Sequence, residues 1–418
     1  MQLKTILNRV QKQPRFTYTN ARLIEGRTRL ALHVWLEPRK GCQPICSGCL
    51  RKRPGYDRLD TRFFEFVPLW AIAVFFVYAP RRADCPRCGV TVEMLPWASG
   101  KSPITTTYAW FLSSWAKSLS WAETARRFRT SWRTVFRSVA MAVAWGRAHA
   151  DYGGITSIGV DELAWKKGHK YLTVVYQIDH GIKRLLWIGR DRTKATFNGF
   201  FDWLGEERAT GLRFIATDMW RAFLTVAAKR APLAMNVLDR FHVAGLFSKA
   251  IEKVRREEVR ELRRRGRAPT LTKTRWVLLK RQHNLTDNQR GRLNELLRAN
   301  LQTVRAYLLK EDFHPFWGYL RPSWAARFLD RWAAAAMRSR IEPMKKVTRT
   351  LRAHQPLLMN WFRARGAFSF GATEGLNNKA RVATRRAYGF RTYDHAVVAL
   401  FHALGALPEP DFFAHRFW

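Results

Sequence analysis

No apolar run in this sequence is long enough to cross a bilayer. The longest, Phe66 to Tyr78, falls short of the roughly 20 residues that a spanning helix needs and contains Pro68, so it reads as strands, and no membrane partner is expected. The N-terminus turns polar within a few residues, with no apolar segment leading to a small-residue cleavage site, and a cytoplasmic protein is expected. Cysteine is scarce as well: there are five, none beyond Cys88, which excludes a disulfide framework for the chain as a whole. Acid is the third shortage. The 32 Asp and Glu stand against 74 Lys and Arg, a formal net charge of +42, and a chain so basic calls for a polyanionic partner. What is present is length and apolar material, 418 residues at 47% hydrophobic, enough for two to four modules with cores of their own.

The few cysteines are patterned. Cys46-x-x-Cys49 and Cys85-Pro-Arg-Cys88 each place two thiols on a tight turn, and together they can complete a tetrahedral Zn²⁺ shell, so residues 1–95 read as a zinc ribbon with Cys42 as a bystander. The alternative is unpaired buried cysteines. The span between the pairs is expected to hold a β-hairpin built on Phe63 to Val77. Residues 96–150 then turn helical with a helix-turn-helix pattern. Ser120 and Glu123 form a capping box, Phe128, Trp132, Val135 and Phe136 recur as a core stripe, and Ser131, Arg133, Thr134 and Arg137 are left to face a DNA groove while Arg126 and Arg127 reach phosphates. An ordinary helical hairpin with a solvated basic face is the alternative.

Residues 151–245 switch to strand alternation. Asp161 closes the run from Thr156 and Asp218 closes the run from Leu212. Three strands in a meander followed by alternating helix and strand is the ribonuclease H-like order, in which the first and fourth strands are neighbours and both aspartates reach the same edge. Residues 246–350 read as a helical insertion. Leu293, Leu296, Leu297, Leu301, Val304 and Leu308 form one stripe there, behind a basic arm from Arg255 that ends at Gly266 and Pro269. In the last segment, 351–418, Glu374, Asn377, Asn378 and Arg381 fall at i, i+3, i+4 and i+7 on one helix face, and Lys379, Arg385 and Arg386 add basic contacts for DNA. Asp161, Asp218 and Glu374 could together hold two Mg²⁺ or Mn²⁺ ions for displacement at phosphorus; read blandly, they are two strand-end caps and an exposed helix residue. The expected whole is a multidomain α/β protein.

At these residues the chain resembles bacterial insertion-sequence transposases of the ISL-three family, which carry a DDE triad. The resemblance runs through the two cysteine pairs, Ile158-Gly-Val-Asp161-Glu162, Lys167-Gly-His169, Ala216-Thr-Asp218-Met-Trp220, Asp239-x-x-His242 and Thr373-Glu374 to Asn378. It departs at Phe223 and Phe370, where a Tyr and a polar residue are common. It implies a ribonuclease H-like catalytic domain interrupted by helices, and a His242 near the catalytic carboxylates, although a core histidine is the rival reading. It further implies binding of terminal inverted repeats and target DNA as a homodimer or higher oligomer, in the bacterial cytoplasm with the nucleoid. A non-catalytic DNA-binding regulator and a ribonuclease H-like nuclease without strand transfer are the alternatives.

Overall fold

A computed structural model of the chain describes residues 3–25, 30–166, 168, 170–266, 271–280, 284–299, 301–367 and 371–411. Lys167, His169, Pro269 and Phe370 lie outside them. The chain divides into two compact units, Met1–Ala150 with Phe401–Ala403 and Leu407–Trp418, and Asp151–Leu400 with Leu404–Ala406.

In the first unit, α1 (Leu3–Val10) precedes seven strands: β1 (Phe16–Glu25), β2 (Leu30–Pro38), β3 (Gly55–Arg58), β4 (Arg62–Leu69), β5 (Ile72–Tyr78), β6 (Arg81–Cys85) and β7 (Gly89–Val92). They form two sheets, β1-β2-β5-β4 and β3-β6-β7. The hairpin expected at Phe63 to Val77 is β4–β5. It belongs to the larger sheet, where the alternation of Phe64, Phe66, Val74 and Phe76 lays one face on a core around Trp97. The two sheets are tied by Glu93, whose buried carboxylate accepts from the Tyr78 hydroxyl at 2.5 Å and from Arg81 at 2.8 Å.

Three helices follow, α2 (Thr106–Ser118), α3 (Trp121–Arg127) and α4 (Trp132–His149), and the Ser120–Glu123 capping box is present. One expectation fails here. Trp132 is 42% exposed, because it opens α4 ahead of the stripe of Val135, Val139 and Val143 that carries the packing. Ser131 is exposed and has a local role as well. As the α4 N-cap its hydroxyl accepts from the Thr134 N–H at 3.1 Å, meeting the need of an otherwise unpaired helix-end donor.

The second unit opens with β8 (Ser157–Lys166), β9 (Lys170–Gln177) and β10 (Arg184–Arg190), then α5 (Lys194–Leu204), α6 (Glu206–Thr210), β11 (Phe214–Thr217), α7 (Arg221–Arg230) and β12 (Met235–Leu238). One sheet results, in the order β10-β9-β8-β11-β12, with β8 antiparallel to β9 and parallel to β11. Asp161 is therefore not at a strand end: β8 runs on to Lys166 because β9 continues to pair with it. On one face of the sheet, Phe197, Phe200, Phe201 and Leu204 recur at i, i+3, i+4 and i+7 on α5 and bury against Ile158, Val160 and Ile215. Phe223 joins them, fully buried, a place that suits a ring without a hydroxyl.

After β12 the described residues form only helices: α8 (Arg240–Arg264), α9 (Arg275–Leu279), α10 (Asp287–Arg298), α11 (Gln302–Phe313), a 3₁₀ turn (His314–Gly318), α12 (Pro322–Arg338), α13 (Glu342–Ala353), α14 (Gln355–Arg363), α15 (Ala372–Arg386) and α16 (Tyr393–Leu404). None is long and apolar enough to cross a membrane. The expected single leucine stripe is split between α10 and α11. Glu258 of α8 accepts from the N–H groups of Gln302 at 2.7 Å and Thr303 at 2.8 Å, so a new helix starts where the stripe would have continued. Leu297 and Leu308 are left exposed.

The other face of β8 receives α15. A Cβ at Gly159 would stand 2.3 Å from Thr373 Oγ1 and 3.4 Å from Ile178 Cγ2, so only glycine lets that helix approach so closely. Gly159→Ala is expected to lower stability by about 1–3 kcal/mol through overpacking, and Thr373→Ala in the same chain should recover part of it. A thermal-unfolding double-mutant cycle with no coupling between the two positions would refute this account.

Candidate active site

Parallel pairing sets three aspartates in one row. The β8–β11 register runs from Ser157↔Phe214 to Gly159↔Ala216, so two residues on Asp161 stands beside Asp218. The β11–β12 register ends at Thr217↔Leu238, so the next step brings Asp239 beside Asp218. Each carboxylate is oriented by a backbone donor. Asp161 Oδ1 accepts from Glu162 N–H at 2.7 Å, Asp218 Oδ1 from Trp220 N–H at 2.9 Å, and Asp239 Oδ1 from Phe241 N–H at 2.8 Å as the N-cap of α8.

The docked α15 closes the row. Asp161, Asp218, Asp239, His242, Glu374, Asn377 and Arg381 line one open cleft. Glu374 sits in the first helical turn, half-buried. Asn377 is buried and bridges the layers: its amide donates to Asp161 Oδ2, and its oxygen accepts from the Tyr176 hydroxyl on β9 at 2.8 Å. Asn378 departs from the expected shared face. It is exposed, outside the cleft lining, and accepts from Arg381 at 2.7 Å. Lys379, Arg385 and Arg386 are exposed as well.

Like charges in a partly dry site oppose ionisation. Burial raises the pKa of Asp161, with Asp239 and Asp218 adding to the rise and His242 opposing it. His242 stands 3.7 Å from Asp161 and 3.5 Å from Asp239, and its Nδ1 is buried without the alignment of a full hydrogen bond. The Asp239 carboxylate, and then the charges of Asp161 and Asp218, outweigh burial and lift its pKa to about 9. The sequence motif names Asp239 only as the partner of His242, and sequence reasoning missed Tyr176 and Lys249. Lys249 lines the cleft seven residues after His242 on α8, and that helical spacing was the available signal.

The first unit holds a second cluster. The sulfurs of Cys46, Cys49, Cys85 and Cys88 lie within 4.8 Å of one another and could hold a metal ion. The Cys49 and Cys85 sulfurs are 3.6 Å apart, near the edge of a tetrahedron with metal–sulfur bonds of about 2.3 Å. Gly48 makes this possible, since a Cβ there would meet Cys88 Sγ at 3.0 Å. The Thr91 hydroxyl and the backbone of Cys49 draw the Cys46 thiol down to about 6, favouring the thiolate that a metal requires. Among the described residues only this set brings three or more ligand groups so close. Arg126, Arg127, Arg133 and Arg137 are exposed along α3 and α4, and Thr134 is half-buried.

The model of the ISL3 DDE family, described as Transposase, matches residues 158–400. The chain is 30% identical over 373 residues to the transposase for insertion sequence element IS1001 of Bordetella parapertussis, covering 88% of this chain and 90% of that one. It is also 30% identical over 393 residues to the transposase for insertion sequence element IS1557 of Mycobacterium tuberculosis, covering 87% and 86%.

A histidine whose pKa is raised by folding contributes stability that is whole below its unfolded value, near 6.5, and lost as pH climbs through about 9. In EDTA-treated protein, wild type should therefore exceed His242→Gln in melting temperature at pH 6, and the gap should close by pH 9. A gap that is constant or widens with pH would show that the imidazolium is not held by these carboxylates.

Proposed function

Because the chain belongs to the ISL3 family of DDE transposases, we propose that it binds the terminal inverted repeats of its insertion sequence and catalyses metal-dependent cleavage and strand transfer of DNA. The observation that carries this reading is the cleft itself, where Asp161, Asp218 and Glu374 meet from two adjacent strands and a docked helix. The sheet order β10-β9-β8-β11-β12 supports a ribonuclease H-like catalytic domain interrupted by the helices from α8 to α14.

The donor set fits divalent Mg²⁺ or Mn²⁺, since it offers hard oxygens whose crowded, partly buried charge a cation would relieve. Bound at Asp161, Asp218 and Glu374, two such ions would activate the attacking oxygen and stabilise the leaving 3′ oxygen. Asn377 fixes the orientation of Asp161 through its link to Tyr176. His242 stands between Asp161 and Asp239 and can donate to a phosphate oxygen. Arg381 and Lys249 supply positive charge along the same cleft. Water displaces the 3′ oxygen at the element end, leaving a free 3′-OH. That hydroxyl then attacks a target phosphodiester, exchanging one ester for another without an external energy source.

End recognition falls to the first unit, with the cysteine cluster as a structural Zn²⁺ site and α3–α4 as a helix-turn-helix whose Arg126, Arg127, Arg133 and Arg137 meet DNA. The charge of +42 predicts affinity that drops steeply with salt. Holding two ends together calls for a homodimer or a larger assembly on bacterial DNA.

Purified protein with Mg²⁺ and labelled duplexes bearing the element's ends should cut at the element boundary and leave 3′-OH termini. Asp161→Asn and Glu374→Gln should retain binding and lose cleavage by at least about 10³-fold, on the scale of removing one transition-state stabilising group. Binding without cutting by wild type would point instead to a regulator, and nicks without joined products to a nuclease. The cysteine cluster is tested separately. Elemental analysis should find one zinc per chain, and Cys85→Ser should lose it together with protease resistance of residues 42–93, whereas full resistance without metal would remove the structural role.

A further inference from the structure

A second cavity opens beside the cleft, with Phe241 lining both. Phe241 directly precedes His242 on α8, and its ring is 38% exposed, although the helix buries Val243 and Phe247 just beyond it. The cavity measures about 210 Å³, below the roughly 300–1,000 Å³ of sites for drug-sized ligands, so it admits one planar ring system and not a stretch of chain. Its walls are aromatic: Phe247 and Phe313 on facing helices and Trp317 in the 3₁₀ turn, with Phe241 at the side shared with the cleft. The polar contribution is narrow. Glu311 lines the cavity, and its Oε1 is shut off from solvent with no aligned hydrogen bond, although it stands 2.9 Å from Lys310 Nζ. Lys310 also donates to the Leu278 and Lys280 carbonyls, both at 3.3 Å.

We propose that this cavity takes one nucleobase, swung out of the duplex from a nucleotide next to the phosphate that occupies the carboxylate cleft. The proposal rests on the DNA-cleaving reading of that cleft. Apolar ring walls give the stacking that any base can use. The adjacency of Phe241 and His242 sets the distance: a strand whose phosphate meets His242 passes the cavity mouth within about one nucleotide. Extruding a base breaks its stacking and pairing, and that loss is smallest where the pair is already mismatched.

The test uses full-length protein and duplexes carrying the element's ends, with a mismatch or 2-aminopurine placed in turn at each position flanking the cut. Two variants alter the cavity without touching the carboxylates. Ala244→Phe fills it from an exposed position on α8, and Trp317→Ala removes a wall; melting temperature monitors folding in both. In wild type, one flanking position should show about ten-fold faster cleavage when mismatched, on the scale of one stacking contact, and a 2-aminopurine signal on binding in Ca²⁺. Both effects should disappear in Ala244→Phe and weaken in Trp317→Ala. No such position, or an effect that survives in both folded variants, overturns the proposal. The Ca²⁺ signal needs no catalysis, so a position-specific response without cutting would keep the base site and defeat the cleavage reading, and cutting without any response would do the reverse.

Discussion

Setting three aspartates in one row across adjacent parallel strands is electrostatically uphill, and much of the second unit is arranged to hold that row. The sheet register places Asp161, Asp218 and Asp239 side by side, and backbone N–H donors fix each one's direction. Two counterweights act on the crowding. His242 puts a positive charge between two of the carboxylates, and Asn377 reaches over from α15 to hold Asp161 by its second oxygen. Without glycine at 159 that helix could not come close enough to do so. The bare position on β8 and the fourth acid on α15 are thus parts of one packing arrangement.

The first unit answers the same shortage of acid differently. Two of its carboxylates hold strands together: Glu93 joins Tyr78 and Arg81 in a buried contact, and Asp57 pairs with Arg82 at the surface. Breaking a buried pair of this kind is costly because the remaining charge stays desolvated. Cations on α3 and α4 are left without such compensation at the surface, where attraction to a polyanion is strongest.

How much of this was legible in the sequence follows from how local each cause is. The cysteine pairs, the Ser120–Glu123 cap and the α5 helix are written in short spacings and are found where those spacings put them. The neighbouring strands that carry Asp161 and Asp218 could be read from element order. What could not be read depends on distant partners. The split between α10 and α11 is set by Glu258, more than forty residues upstream; the burial of Asn377 and exposure of Asn378 are set by Tyr176 on another strand; and β8 runs past Asp161 because β9 stays paired with it. Asp239 caps α8, and only the register shows that the cap also completes a row.

The position of α15 near the end of the chain bears on how the protein comes into being. Synthesis proceeds from the N-terminus, and domains tend to fold as they emerge. Both strands with the first two aspartates, and every helix from α8 to α14, leave the ribosome before Glu374 does. A nascent or truncated chain can therefore already hold both aspartate strands while its carboxylate set is still unfinished, and the first unit too awaits Phe401–Ala403 from beyond Glu374. Completion waits on a long-range docking event, the slow kind of contact, so the cleft is the last part of the second unit to be closed.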